Sequence, residues 1–159
     1  MMSIILRTAL PEDRDAVVAL IRQLNMFEAE LTGDRLRDHA AALAYHGELS
    51  HRLAKRNGRI VVAVEADEVI AAMGFVVQTD AAYMVEDVRD YAVVTDLVVD
   101  ARMRGRGIGQ MLLTEAERLT REAGLKRLSI GALVANERAE RTYREFGFEP
   151  YVTIMVKSV

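Results

Sequence analysis

The chemistry in this chain is most concentrated in Arg104, Gly105, Arg106, Gly107, Ile108 and Gly109, followed by Gln110. Three glycines within five positions let a backbone turn tightly and present consecutive N–H groups. An apolar, strand-like run at residues 92–99 leads into them and a helical pattern opens at Gly107. The first turn of such a helix carries partial positive charge, so strand, glycine turn and helix together suit an anion, phosphate above all. Arg104 and Arg106 add guanidinium forks that match phosphate oxygens. The letters of the loop alone are equally consistent with an ordinary strand-to-helix turn and two solvated arginines.

Two nucleotide-binding patterns fail on the letters. A Walker-type loop needs Lys and then Ser or Thr after its last glycine, where this chain has Gln110 and Met111. A dinucleotide fingerprint begun at Gly105 needs Gly or Ala at position 110 and an acidic residue closing the next strand, which here ends near Ala132 to Ala135.

Three further side chains stand out. Asp96 alternates with Val94 and Val98 in an otherwise apolar strand, so its carboxylate needs a hydrogen-bonded structural partner or a polar cleft. Tyr143 shares a helix face with Ala139 and Phe146, as a core aromatic would, yet its hydroxyl still needs a partner. Asn136 is well suited to cap the helix that follows it.

The loop fits the pattern Arg or Gln, two residues, Gly, one residue, Gly or Ala. Thr95-Asp96-Leu97-Val98-Val99-Asp100 precedes it, and Asn136-Glu137-Arg138-Ala139 and Tyr143-Arg144-Glu145-Phe146-Gly147-Phe148 follow in order. In these segments the chain resembles the GNAT superfamily of acyl-CoA-dependent N-acyltransferases, and the element order extends the resemblance along nearly the whole chain. The resemblance implies an α/β (α+β) fold with a mixed, mainly antiparallel central sheet flanked by helices. It implies transfer of an acetyl group from acetyl-CoA to a primary amine by direct attack in a ternary complex. Backbone N–H groups of Arg104, Gly105, Arg106, Gly107, Ile108, Gly109 and Gln110 would hold the pyrophosphate of coenzyme A. Leu97, Val98 and Val99 would pair through backbone with its pantetheine arm, as a ligand adds to a strand edge, and Asn136 would lie near that arm. Tyr143 would give a proton to the departing thiolate and Asp96 would take one from the amine. The acceptor would be a small-molecule or peptide amine, and the family admits a homodimer. A non-catalytic CoA-binding regulatory domain, keeping the cradle without turnover, is the alternative. Glu28, Glu30 and Asp34, with Glu86, Asp87 and Asp90, fall where the family binds its acceptor; their convergence would favour a cationic amine.

Composition sets bounds on these readings. A chain of 159 residues is the size of one domain, spanning 1–159, and at this length folding buries roughly 70% of the extended chain's surface. Cysteine is absent, which removes disulfides, thiolate zinc sites and a cysteine nucleophile. With 21 Lys plus Arg against 24 Asp plus Glu, no basic footprint for nucleic acid is expected. Residues 1–8 hold a short apolar run without a basic segment before it, and no window approaches the roughly 20 apolar residues of a membrane span, so a cytoplasmic protein without membrane contact is expected. His39, His46 and His51 lack metal-ligand spacing and read as helix-surface residues, with no metal expected.

The elements that must position these residues follow from periodicity. A strand at 4–8 precedes a helix opened by Pro11, Glu12 and Asp13, and a helical stretch at 34–56 is expected to break near Tyr45, His46 and Gly47. Runs at 60–64 and 69–77 around Glu65 to Glu68 predict a hairpin, and a polar connection at 78–90 leads to the strand at 92–99. Ile108, Met111, Leu112, Ala116 and Leu119 give the next helix one apolar stripe, closed by Gly124. A strand at 126–134, a short helix stopped by Gly147 and a final strand at 151–157 complete the expectation.

Overall fold

The strand run at the start of the chain forms β1 (Ile5–Thr8), and the proline-led acidic turn after it opens α1 (Arg14–Thr32). The computed structural model describes residues 3–159; Met1 and Met2, the start of the N-terminal apolar run, lie outside them. There follow α2 (His39–Ala54), β2 (Arg59–Glu65), β3 (Glu68–Thr79), the short α3 (Glu86–Arg89), β4 (Asp90–Val99), α4 (Ile108–Glu122), β5 (Leu128–Ile130) and α5 (Glu137–Phe146). The strands lie in the order β1-β2-β3-β4-β5, antiparallel except for the parallel β4–β5 pair. The expected hairpin is present, and its turn residues Ala66 and Asp67 both take left-handed φ, 51° and 64°, in the hand that matches strand twist.

The sheet separates two apolar layers. On one face α4 packs Ile108, Leu112, Ala116 and Leu119 against Val61, Ala63, Met73, Phe75, Ala92 and Val94. On the other, Val17, Val18, Leu20 and Ile21 of α1 and Ala42 of α2 meet Val62, Ala72 and Val98. At about 25 cal/mol per Å² of apolar surface, these two layers carry most of the driving force for folding.

One irregularity sets where the site lies. Met73 pairs with Leu97 but Phe75 pairs with Val94, so Gly74 alone on β3 faces both Thr95 and Asp96. This is a β-bulge, and it inverts the alternation of β4. Before it Ala92 and Val94 point into the α4 layer; after it Leu97 and Val99 do, while Val98 joins the α1–α2 layer. Asp96 therefore does not share a face with Val94, as strict alternation predicts; the bulge turns it toward α2. Glycine at 74 leaves room for the Thr95 hydroxyl, which a Cβ there would force to move.

Four expectations need correction. The helical stretch starts only at His39, where the Asp38 side chain accepts from Ala41 N at 2.8 Å. It then runs unbroken through Gly47, because Ala42, Leu49 and Leu53 are buried on one side and outweigh glycine's helix cost of about 1 kcal/mol. β5 is three residues long rather than spanning 126–134, ending before Gly131. Residues 151–157 form no strand: Tyr151, Val152, Ile154, Met155 and Val156 are all exposed. Strand propensity reflects fit to a pleated neighbour, and β5 offers too short an edge to supply one.

Candidate functional site

Beyond Val94, β5 no longer accompanies β4, since the parallel pairing covers only Ala92, Val93 and Val94. Among the described residues, the edge of β4 from Thr95 to Val99 that faces away from β3 thus has no strand partner, and an open cleft of about 900 Å³ lies along it. Leu97, Val98 and Val99 line this cleft, as do Arg104, Gly105, Gly107, Ile108, Gly109, Gln110, Asn136, Asp96 and Tyr143. Of the residues considered from the sequence for donor binding and proton transfer, all but Arg106 line it.

The glycine turn is built as its spacing predicted. Gly105 and Gly107 take φ of +77° and +78°, a region in which β-branched residues are strained, and a Cβ at either would meet no atom of the described residues within 4 Å. Gly107 is the N-cap of α4 and no side chain caps that helix, so the first-turn N–H groups at the cleft wall lack the partner a capping side chain would give. Two arginines flank the turn and do different things. Arg104 stays at the cleft, its Nε donating to the Val99 carbonyl at 3.4 Å and its guanidinium 5.9 Å from the Phe27 ring centre. Arg106 turns away, pairs with Glu65 at 2.7 Å and does not line the cleft.

The turn is anchored from below by Asp100, buried at the end of β4. Its carboxylate accepts from Arg102 N at 2.9 Å, from the Arg102 guanidinium at 3.1 Å and from Gln23 Nε2 at 3.4 Å. The arginine hydrogen bonds dominate and hold the Asp100 pKa down at about 2. Arg102 also reaches Glu68 at 2.6 Å. The two glutamates at the hairpin end, paired across β2 and β3, each hold one arginine of the segment after β4.

The other end of the cleft is made of side chains. Asp96, half-buried, meets the Tyr45 hydroxyl of α2, which is 2.9 Å from both carboxylate oxygens. Burial, then the negative charge of Asp96, pushes the Tyr45 pKa up to about 12. Tyr143 projects from α5 with its ring edge-on to Phe148 at 6.0 Å; burial, then the Glu28 carboxylate, pushes its pKa up to about 12 as well. Asn136 caps α5 by accepting from Ala139 N at 3.1 Å while lining the cleft, so its capping and cleft roles coexist. Of the acidic residues considered for an acceptor, Glu28 and Asp34 line the cleft, both paired with Arg35, at 3.0 and 2.5 Å. Glu30 pairs with Arg37, Asp87 with Lys126, and Asp90 accepts from Thr79; these and Glu86 do not line the cleft.

Sequence reasoning missed Tyr45, Gly74 and Asp100 as parts of the site. Gly74 carried a signal, since a lone glycine inside a β-branched run marks a bulge or a close approach. Tyr45 carried none: its contact with Asp96 spans 51 residues.

Residues 21–148 match the profile of the acetyltransferase (GNAT) family. The chain is 31% identical over 144 residues to the aminoalkylphosphonate N-acetyltransferase of Salmonella typhimurium, covering 91% of this chain and 84% of that one. Among solved structures it superposes on a GCN5-related N-acetyltransferase from Ralstonia eutropha JMP134 with a TM-score of 0.74 at 25% identity, covering 99% of each chain. It also superposes on the aminoglycoside N-acetyltransferase AAC(6')-Iy in complex with CoA with a TM-score of 0.74, at 14% identity and covering 100% of this chain and 96% of that one.

Proposed function

The chain belongs to the acetyltransferase (GNAT) family of N-acyltransferases, and from that premise we propose that it moves an acetyl group from acetyl-CoA to a primary amine by direct attack, with Asp96 as base and Tyr143 as proton donor. One observation carries this reading: a single cleft joins an uncapped, glycine-led helix start, a strand edge without a partner, and two side chains able to handle protons.

The residues present fit the donor. First-turn N–H groups of α4 and the open space at Gly105 and Gly107 suit a pyrophosphate, with Arg104 beside it. The free edge of β4 at Leu97, Val98 and Val99 suits an amide-bearing arm, and one of its N–H groups can polarise the acyl oxygen. Bound acetyl-CoA supplies a thioester carbonyl and a sulfur leaving group.

In the transfer the amine nitrogen bonds to the acetyl carbon and the carbon–sulfur bond breaks. Asp96 accepts the proton the nitrogen loses, and Tyr143 provides one to the sulfur. The phenol, at about 12 against about 8.5 for a thiol, does not ionise in advance. Tyr143 acts as a hydrogen-bond donor whose proton crosses as the bond to sulfur breaks. No side chain needs to carry the acetyl group.

The acceptor end holds Glu28, Asp34 and Asp96 against Arg35. An amine with a second cationic group would sit among these carboxylates, whereas an aminoalkylphosphonate would have to draw Arg35 from Glu28 and Asp34. The test is acetyl transfer to 2-aminoethylphosphonate, spermidine and kanamycin, with acetyl-CoA affinity measured by calorimetry. Tight binding without transfer or hydrolysis would favour the non-catalytic reading; absence of binding would remove the donor.

A further inference from the structure

Resting on the reading of Asp96 as base, we propose that Tyr45 is a positioning residue that holds the Asp96 carboxylate in the orientation from which it takes the proton of the amine. An aspartate carboxyl turns freely about its last side-chain bond, whose torsion is broad and two-fold. A carboxylate at a bulge, released from regular alternation, therefore needs a partner if it is to present one oxygen reproducibly to the cleft. Tyr45 is the side-chain hydrogen-bond partner that the described residues give it, at 2.9 Å from each oxygen.

The partner is itself held firmly. The Tyr45 ring packs against both Val62, Ala72 and Val98 in one cluster and Leu49, Leu53 and Val76 in another, so the hydroxyl is placed by the core rather than by a mobile stem. Arg52, two turns further along α2, donates to the Tyr45 oxygen at 3.4 Å. With that side of the oxygen engaged by a donor, the phenolic proton is directed to Asp96. A carboxylate offers about four lone-pair sites, and Tyr45 uses one at a time, leaving capacity for the proton of the amine. The high pKa of Tyr45, about 12, keeps it a donor through the working range.

The experiment is a double-mutant cycle on turnover, with acetyl-CoA and whichever of 2-aminoethylphosphonate, spermidine or kanamycin is acetylated fastest. Tyr45→Phe keeps the ring and should lower kcat about 10-fold, the size of one charge-assisted hydrogen bond, while acetyl-CoA affinity stays within about twofold. In the Asp96→Asn background the same change should cost less than about twofold, because the orientation of a base no longer present cannot be lost. Equal cost in both backgrounds would mean that Tyr45 only packs α2 against the sheet, and full turnover in Tyr45→Phe would also overturn the proposal. Arg52→Gln, at an exposed position, gives a second route should the Phe variant fold poorly: it should lower kcat about twofold, and an unchanged kcat would count against the arrangement. Full turnover in Asp96→Asn alone would remove the base itself, an outcome distinct from a failure confined to Tyr45.

Discussion

The two ends of the cleft are built on different principles. At the end proposed for the donor the groups on offer are backbone N–H donors, placed by glycine φ values and by a helix whose apolar stripe is buried in the core. At the end proposed for the acceptor they are side chains, Asp96, Tyr45, Tyr143 and the Glu28–Arg35 pair, brought together from β4, α2, α5, α1 and the α1–α2 connection. α5 has no buried residue, whereas α4 buries Ile108, Leu112, Leu113, Ala116, Leu119 and Thr120. On the proposed reading, donor recognition thus rests on a helix anchored in the core, and the proton donor Tyr143 on a helix that buries none of its residues. A division of this kind predicts that binding and turnover can be damaged separately.

The largest effect tests the acceptor end. Tyr143→Phe keeps the ring against Phe148 and removes the hydroxyl, so turnover should fall roughly 10²- to 10⁴-fold with acetyl-CoA affinity and thermal midpoint close to wild type. Parallel loss of affinity would show that the two ends are not separable.

Gly107→Val is the converse. A β-branched residue at φ +78° is strained and would crowd the approach to the first turn of α4, so CoA affinity measured by calorimetry should weaken about 10-fold or more in a folded variant. Unchanged affinity would take the turn out of the cradle.

A third effect, on stability rather than on binding or turnover, concerns what anchors the segment after β4. The pKa of Asp100 is depressed from 3.8 to about 2, so its contribution, about 2 kcal/mol, is complete above the unfolded value and disappears as pH falls through about 2. Asp100→Asn should therefore be destabilised by about that amount at neutral pH, and denaturant midpoints of variant and wild type should converge between about pH 4 and about pH 2. A constant gap across that range would mean that the Asp100 charge adds nothing to the anchor.

The same division decides what could be read from the sequence. Glycine spacing, an apolar stripe and a β-branched run are local signals, so the glycine turn, its strand and its helix were legible, as was the hairpin; the mainly antiparallel sheet came with the resemblance to the family. The acceptor end depends on contacts between distant segments. Asp96 was legible as a carboxylate in need of a partner, but the partner lies 51 residues away on a helix expected to break, and a register shift opposite Gly74 decides which face it takes. Residues 151–157 had the composition of a strand and lacked only a neighbour, which composition does not reveal.

The hairpin end carries a further consequence. Glu65 and Glu68 stand opposite one another across the Ala66–Asp67 turn, and each is matched by an arginine of the segment after β4, 41 and 34 residues away in the chain. Losing Glu65 would cost Arg106 its ion pair, whereas Arg102 without Glu68 would still have Asp100, and losing either arginine would leave one glutamate of the facing pair uncompensated. A substitution in the turn would therefore change the charge balance of the segment after β4, although the turn itself lies outside the cleft.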